Sequence, residues 1–204
     1  IVQHSALDSA REGFIDGLKE KGYVDGANLE IDYENAQGDV SIAQTISKQF
    51  VNNEVDMIFA ISTSSAQSAY NATKEIPIVF TAVTDPVAAG IANSFESSGN
   101  NVTGMSDMVS MTEQIALLQE IVPSIRNIGV IYNTSEANSI VQVDELKSTA
   151  KESNLQVKEI SITTVNEINQ NLSANIKDID ALYVPTDNTV ASAYELVGNI
   201  CLNN

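Results

Sequence analysis

The stretch Val55-Asp-Met-Ile-Phe-Ala-Ile-Ser-Thr-Ser-Ser65 decides the fold that this sequence predicts. Residues 55–61 form a nearly continuous apolar run, which is typical of a strand buried on both faces of a parallel sheet. Small hydroxyl residues follow, and from there we predict a helix that continues to about Thr73. A buried strand that leads directly into a helix is the repeating unit of α/β folds.

The same alternation of strand and helix recurs along the whole chain. Apolar or alternating runs predict further strands over residues 29–33, 77–83, 102–108, 128–132, 155–162 and 181–184. Helical spacing and helix-start residues predict helices that begin near Ser5, Val40, Pro86, Thr112, Ser139, Thr164 and Thr189. Because strands and helices alternate, we predict an α/β protein with parallel sheets flanked by helices on both faces.

The alternation restarts after a helix near the middle of the chain, which predicts two lobes. We assign residues 1–110 to an N-terminal ligand-binding lobe and residues 111–126 to a crossover helix and lobe boundary. Residues 127–204 form the C-terminal ligand-binding lobe. This second lobe contains fewer strand–helix units than the first, so we predict that it is incomplete and truncated.

Composition excludes several classes of function. The formal net charge is −17, and such a surface repels nucleic-acid phosphates and anionic lipids. The single histidine, His4, and the single cysteine, Cys201, leave few metal ligands and almost no nucleophile–base pair. The sequence also lacks a glycine-rich phosphate loop and a Gly-x-Ser-x-Gly motif. We therefore expect no cofactor, no metal, no nucleic-acid partner and no catalytic residues.

Small polar residues gather where the predicted strands end, and in open parallel sheets ligands bind at these carboxyl ends. Helix N-termini at the same edge offer free N–H groups that suit a carboxylate. In the first lobe we assign the ligand carboxylate to the helix starts after Ser64 and Asp85. In the second lobe we assign a ligand ammonium to Asp187. The complete set of predicted ligand-binding residues is Ser5, Ser64, Ser65, Thr84, Asp85, Asn133, Asn138, Asp187 and Asn188.

Donors on one side and an acid on the other match a zwitterion such as an amino acid. For any single residue, the alternative that it is an ordinary helix cap or turn former stays open. Asp85 in particular is expected to cap the helix that follows it, because a free acid beside a ligand carboxylate would be repelled.

Several stretches of the chain resemble one known family. They are His4-Ser-Ala-Leu-Asp-Ser-Ala-Arg-Glu-Gly-Phe-Ile-Asp-Gly-Leu18, Ile76-Pro-Ile-Val-Phe-Thr-Ala-Val-Thr-Asp-Pro86, Asn101-Val-Thr-Gly-Met-Ser-Asp107, Ile128-Gly-Val-Ile-Tyr-Asn133 with Glu136-Ala-Asn-Ser139, and Tyr183-Val-Pro-Thr-Asp-Asn-Thr189. In this order and spacing they resemble the ABC transporter substrate-binding proteins whose characterised members bind tryptophan or phenylalanine. The resemblance extends along essentially the whole chain.

The resemblance implies the type I periplasmic-binding-protein architecture, with two Rossmann-like lobes that hinge and close over a ligand in the cleft. It also implies an extracytoplasmic protein that delivers an amino acid to an ABC permease with its ATPase subunits. Members of the family are often lipid-anchored, and such an anchor would lie outside this chain.

Two other classes of protein use a similar two-lobed fold. The effector domain of a transcription regulator would carry a basic helix-turn-helix segment upstream, which this chain does not contain. An amino-acid racemase of this kind needs paired cysteines, whereas Cys201 is alone. We therefore predict a transport receptor and not an enzyme, and the identity of its ligand stays open.

Overall fold

The computed structural model describes residues 5–203, with side chains from Leu7 onward. The helices are α1 (Ser5–Glu20), α2 (Val40–Asn52), α3 (Thr63–Ala72), α4 (Met111–Ile121), α5 (Ala137–Glu152), α6 (Ile168–Asn175), α7 (Asn188–Ala191) and α8 (Tyr194–Leu202). The strands are β1 (Ile58–Ile61), β2 (Ile78–Val83), β3 (Val102–Ser106), β4 (Asn127–Asn133), β5 (Gln156–Ile162) and β6 (Ala181–Tyr183). Short 3-10 helices, Val165–Glu167 and Ile176–Asp178, flank α6. None of the described helices is long and apolar enough to cross a membrane.

These elements form two compact units, of which the first ends at Asp107 and the second begins at Met108. The segment 111–126 that the sequence assigns to the lobe boundary therefore contains α4 and belongs to the second unit. Met111 and Ile115 of α4 are buried in the core of that unit, because an amphipathic helix is stabilised where its apolar side is covered.

The first unit is built on a three-stranded parallel sheet in the order β1-β2-β3. Ile58, Ile78 and Val102 are register partners on adjacent strands, and all three are buried. Helix α3 packs against this core through Ala66 and Ala69, whose small side chains allow a close approach. The carboxyl ends of the strands lie together at one edge of the sheet, where α3 begins.

The second unit contains a parallel sheet in the order β5-β4-β6. Strand β4 lies in the middle and is buried on both faces. Ile128 and Val130 pack into a core formed with α4 and α5, whereas Ile131 packs into a core formed with α6 and α8. The prediction of parallel sheets covered by helices is therefore confirmed in the element order and in the strand directions.

The predicted strand over residues 29–33 is wrong for the described structure. Only an isolated bridge between Asp25 and Leu29 forms there. The backbone N–H of Ile31 donates instead to Oδ1 of Asp25 at 3.0 Å. A side-chain acceptor thus competes for a backbone donor that a strand partner would need.

The predicted helix after Asp85 is also wrong, because a single hydrogen-bonded turn occupies this position. The N–H of Ala89 donates to the carbonyl of Asp85 at 3.0 Å, and that of Gly90 donates to Val87 at 2.9 Å. Gly90 then adopts a φ of 72°, a left-handed conformation that commonly ends a helical turn. The predicted helix from Thr189 is divided into α7 and α8.

Candidate functional site

In the first unit, helix α3 begins at the carboxyl end of β1 without a side-chain cap. Ser62 occupies the N-cap position with a φ of 88°, and its side chain makes no capping hydrogen bond. Ser62 is 2% exposed, and its buried Oγ has no hydrogen-bond partner in the described structure. The first N–H groups of a helix have no partner within the helix. The start of α3 therefore keeps donors that a ligand carboxylate could use.

The predicted residues Ser64 and Ser65 lie in this first turn of α3 and are partly buried. The end of β2 lies beside them, because the N–H of Ser62 donates to the carbonyl of Thr81 at 3.0 Å. The predicted site residues of the first unit that the structure describes are therefore grouped at one edge of the sheet.

Thr84 and Asp85 follow β2 at this edge and have structural partners. Thr84 is 1% exposed, and its carbonyl accepts a hydrogen bond from Oγ of Ser106 at 2.6 Å. Oδ1 of Asp85 accepts from the N–H groups of Val87 and Ala88 at 2.8 and 2.9 Å. Asp85 thus caps the turn that replaces the predicted helix, which matches its expected role as a cap.

A cavity of about 610 Å³ is lined by all four residues of β1. Its walls come from α1, α2 and the irregular segment 29–36. Of the predicted site residues whose side chains are described, Ser65 alone lines it. The cavity lining is mainly aliphatic and aromatic, with Phe14, Ile31 and Phe50 among its residues.

In the second unit, Asp187 is fully buried, and both of its carboxylate oxygens accept hydrogen bonds from groups of the same unit. Oδ2 accepts from the N–H of Asn133 at 2.6 Å and from Oγ of Ser139 at 2.7 Å. Oδ1 accepts from the N–H of Val190 at 2.8 Å and so caps α7. Burial, together with the nearby charge of Glu136, raises the pKa of Asp187. The carboxylate is therefore a structural tie as well as a source of negative charge.

The other predicted residues of this unit connect the loop after β4 to the loop after β6. Nδ2 of Asn133 donates to Oγ1 of Thr189 at 2.8 Å, and Nδ2 of Asn138 donates to the carbonyl of Thr186 at 2.7 Å. Gln142 also holds Thr186, by accepting from its N–H at 2.9 Å. The structure thus brings Asn133, Asn138, Asp187 and Asn188 into one network.

Glu136 belongs to the same network, although the sequence did not assign it to the site. Its Oε2 accepts from the backbone N–H and from Nδ2 of Asn188, at 2.9 and 2.7 Å. Its Oε1 accepts from the N–H and Oγ1 of Thr189, at 2.9 and 2.8 Å. The available signal was an acid three residues before the predicted helix start at Ser139, in the loop that already carried Asn133 and Asn138.

The comparisons with known proteins assign the chain to a family. The family model described as "ABC transporter substrate binding protein" matches residues 1–202. The chain belongs to this family.

Individual members are similar along the whole chain. The chain is 50% identical over 204 residues to a "Tyrosine-binding protein" of Clostridioides difficile, and it spans 59% of the length of that relative. A solved structure of the ABC domain in complex with L-Trp, from Streptococcus pneumonia, is 38% identical with a TM-score of 0.95. The match covers 98% of this chain and 68% of that one. A conserved domain protein of Vibrio cholerae is 42% identical with a TM-score of 0.97, over 100% of this chain and 69% of that one.

The family match and the similarity to the structure with bound L-Trp confirm the α/β fold of the type I periplasmic-binding-protein class that the sequence predicted. Neither the regulator nor the racemase alternative is favoured by them. Among the residues that the structure describes, no group of three His, Cys, Asp or Glu side chains is arranged to hold a metal ion. Only the backbone of the predicted residue Ser5 is described. His4 lies outside the described residues.

Proposed function

We propose that the protein is the solute-binding component of an ABC importer and binds an amino acid with an aromatic side chain. The observation that carries this proposal is the 50% identity, over 204 residues, with the tyrosine-binding protein of Clostridioides difficile. The bound L-Trp in the Streptococcus relative supports the same class of ligand. The protein would act outside the cytoplasm and deliver its ligand to the permease and the ATPase subunits of the importer.

The first unit is suited to the carboxylate of the ligand. Helix α3 begins without a side-chain cap, so its first N–H groups and its partial positive charge are directed at a potential anion. Ser64 and Ser65 add hydroxyl donors in the same turn, and Thr84 belongs to the adjacent strand end. Asp85 is engaged in capping its own turn, which leaves its carboxylate less able to repel an anion.

The second unit is suited to the ammonium of the ligand. Asp187 and Glu136 lie in one network, and the described groups that donate hydrogen bonds to their carboxylates are neutral N–H and O–H groups. Within the described residues, neither acid forms an ion pair. An ammonium at this strand end would therefore meet the negative charge of both acids without competition from an ion-paired lysine or arginine. Asn133, Asn138 and Asn188 supply amide groups around it.

A thermal-shift screen of the common amino acids tests this proposal. A ligand that binds only the folded state stabilises it by about 2.7 kcal/mol at a hundredfold excess over Kd. We expect a clear rise in the Tm of the full-length protein with L-tyrosine or L-tryptophan, and little change with lysine or glutamate. No shift with any amino acid, together with a strong shift caused by a sugar or nucleoside, would remove the assignment.

We further propose that the protein releases its ligand chemically unchanged. The described residues present no metal-binding cluster. Cys201 is an exposed residue of α8, and partial desolvation of its thiol raises its pKa, which disfavours the nucleophilic thiolate. Incubation of the purified protein with L-tyrosine, followed by chiral chromatography, should recover only L-tyrosine. Racemisation or deamination that disappears in Cys201→Ala would contradict this proposal.

A further inference from the structure

Glu136 orients the amide of Asn188 through two contacts to the same oxygen. Oε2 of Glu136 accepts from the backbone N–H of Asn188 at 2.9 Å and from its Nδ2 at 2.7 Å. An ionised carboxylate can only accept hydrogen bonds, so the NH₂ side of the amide must face Glu136. The amide oxygen of Asn188 must consequently point away from it.

This amide oxygen is an available acceptor. Asn188 is partly buried. Its N–H and Nδ2 donate to Glu136, and its backbone carbonyl accepts from the N–H of Ser192 at 3.1 Å. No described residue donates a hydrogen bond to its Oδ1. Asp187 next to it is fully buried, with both carboxylate oxygens already accepting hydrogen bonds. Of these two neighbours, Asn188 is thus the one that can accept a hydrogen bond from a ligand without a rearrangement.

We propose that Glu136 is a positioning residue that presents Oδ1 of Asn188 to the ammonium group of the ligand. This inference rests on the proposed function and adds to that function the group that accepts the hydrogen bond from the ammonium. Glu136 also contributes a negative charge at this position, as Asp187 does from the interior. The ammonium is then recognised by one direct hydrogen bond and by the field of two carboxylates.

Hydrogen bonds hold both carboxylate oxygens of Glu136, which gives the positioning role its geometric basis. Oε1 of Glu136 accepts from the N–H and Oγ1 of Thr189 at 2.9 and 2.8 Å, so both carboxylate oxygens are fixed. Oγ1 of Thr189 in turn accepts from Nδ2 of Asn133 at 2.8 Å. Rotation of the Glu136 carboxylate would therefore break contacts to two consecutive residues at once.

Calorimetric titration of the full-length protein with L-tyrosine and L-tryptophan tests the role of Glu136. Glu136→Gln replaces one acceptor oxygen by an NH₂ donor. The side chain can then no longer accept hydrogen bonds from all four donors of Asn188 and Thr189. We expect Kd to rise by about tenfold or more, as for the loss of a hydrogen bond to a charged group. Asn188→Ala should have a similar effect, because it removes the acceptor itself.

The double variant provides the readout that a merely structural role would not change. If Glu136 acts through Asn188, then Glu136→Gln should raise Kd little further in an Asn188→Ala background. Asp180→Asn is the matched control, because Asp180 accepts from the N–H groups of Arg126 and Asn127 at the opposite ends of the strands. The control should lower the Tm and leave Kd unchanged.

If Glu136→Gln does not fold, Thr189→Val keeps the carboxylate and removes one of its donors, and we expect a smaller increase in Kd. Unchanged Kd in Glu136→Gln, or fully additive effects with Asn188→Ala, would overturn the positioning role while leaving the proposed function intact. Failure of both amino acids to bind the unaltered protein would overturn the inference and its parent proposal together.

Discussion

Oδ2 of Asp187 accepts a hydrogen bond from the backbone N–H of Asn133 at 2.6 Å. Asn133 is the last residue of β4, and Asp187 is the N-cap of α7, which follows the neighbouring strand β6. A single buried carboxylate therefore ties two adjacent strand ends together and caps a helix. This contact fixes the end of β4 next to the start of α7, at the candidate ligand-binding edge of the second unit.

Asp187→Ala should lower the free energy of unfolding by about 2–5 kcal/mol, because it leaves three buried donors without an acceptor. If the site assignment is correct, affinity for the ligand should also fall, because the variant removes a negative charge and loosens the strand end that carries Asn188. Asp187→Asn should recover part of both losses, since one oxygen can still accept. Urea unfolding and calorimetric titration measure the two quantities separately. An Ala variant that binds L-tyrosine with unchanged Kd would exclude Asp187 from the site.

Asp85→Ala should lower the free energy of unfolding by about 0.5–2 kcal/mol, as for the loss of a capping side chain. The variant loses the acceptor of the N–H groups of Val87 and Ala88. Asp85→Asn keeps an acceptor oxygen and should be close to the unaltered protein. Thermal unfolding is the measurement. If Asp85→Ala instead abolishes ligand binding without lowering the Tm, the roles assigned to Asp85 and Asp187 are reversed.

The stability contributed by Glu159 should disappear in acid. Lys147, which contacts Oε1 at 2.7 Å, and Tyr132, which donates to Oε2 at 2.7 Å, hold the pKa of Glu159 below its ordinary value of 4.5. Ionised Glu159 therefore stabilises the fold above about pH 4.5, and this contribution is lost as the pH falls through the lowered pKa.

We accordingly expect Glu159→Gln to be less stable than the unaltered protein near neutral pH, with the difference shrinking on acidification to about pH 3. Urea unfolding over a pH series measures this difference. Glu152→Gln, at an exposed position of α5, is the control and should show a small difference throughout. A Glu159 difference that stays constant or grows in acid would contradict the expectation.

Two strand glycines should differ in their tolerance of a methyl group. A Cβ at Gly104 would lie 2.6 Å from the ring of Phe80 and even closer to the Phe80 carbonyl oxygen. A Cβ at Gly129 would instead meet the terminal methyl group of Ile179, which a side-chain rotation can move. We expect Gly104→Ala to cost about 1–3 kcal/mol or more in unfolding free energy, and Gly129→Ala to cost less. Equal Tm values for the two variants would show that β3 shifts to accommodate the methyl group.

Local patterns were sufficient for most of the fold. The continuous apolar runs of β1 and β4 predicted parallel strands, and both form. Strand β4 is the buried middle strand of its sheet, whereas β1 is an edge strand in which buried and partly buried residues alternate. The segment 29–33 shows where a local pattern is insufficient. Its alternating Leu29 and Ile31 have the period of a strand, but Asp25 takes the N–H of Ile31. Strand formation requires a partner, and the pattern within one segment cannot say whether a partner is available.

The candidate site shows the same division between sequence and tertiary structure. The sequence by itself determined the α/β alternation, the polar strand ends and the family resemblance, because these depend on residues that are close together in the chain. Only the tertiary structure decided that Asp187 accepts a hydrogen bond from Asn133, 54 positions away, and that Glu136 orients Asn188, 52 positions away. A carboxylate is available to a ligand only if no donor reaches it first, and folding decides which donors reach it.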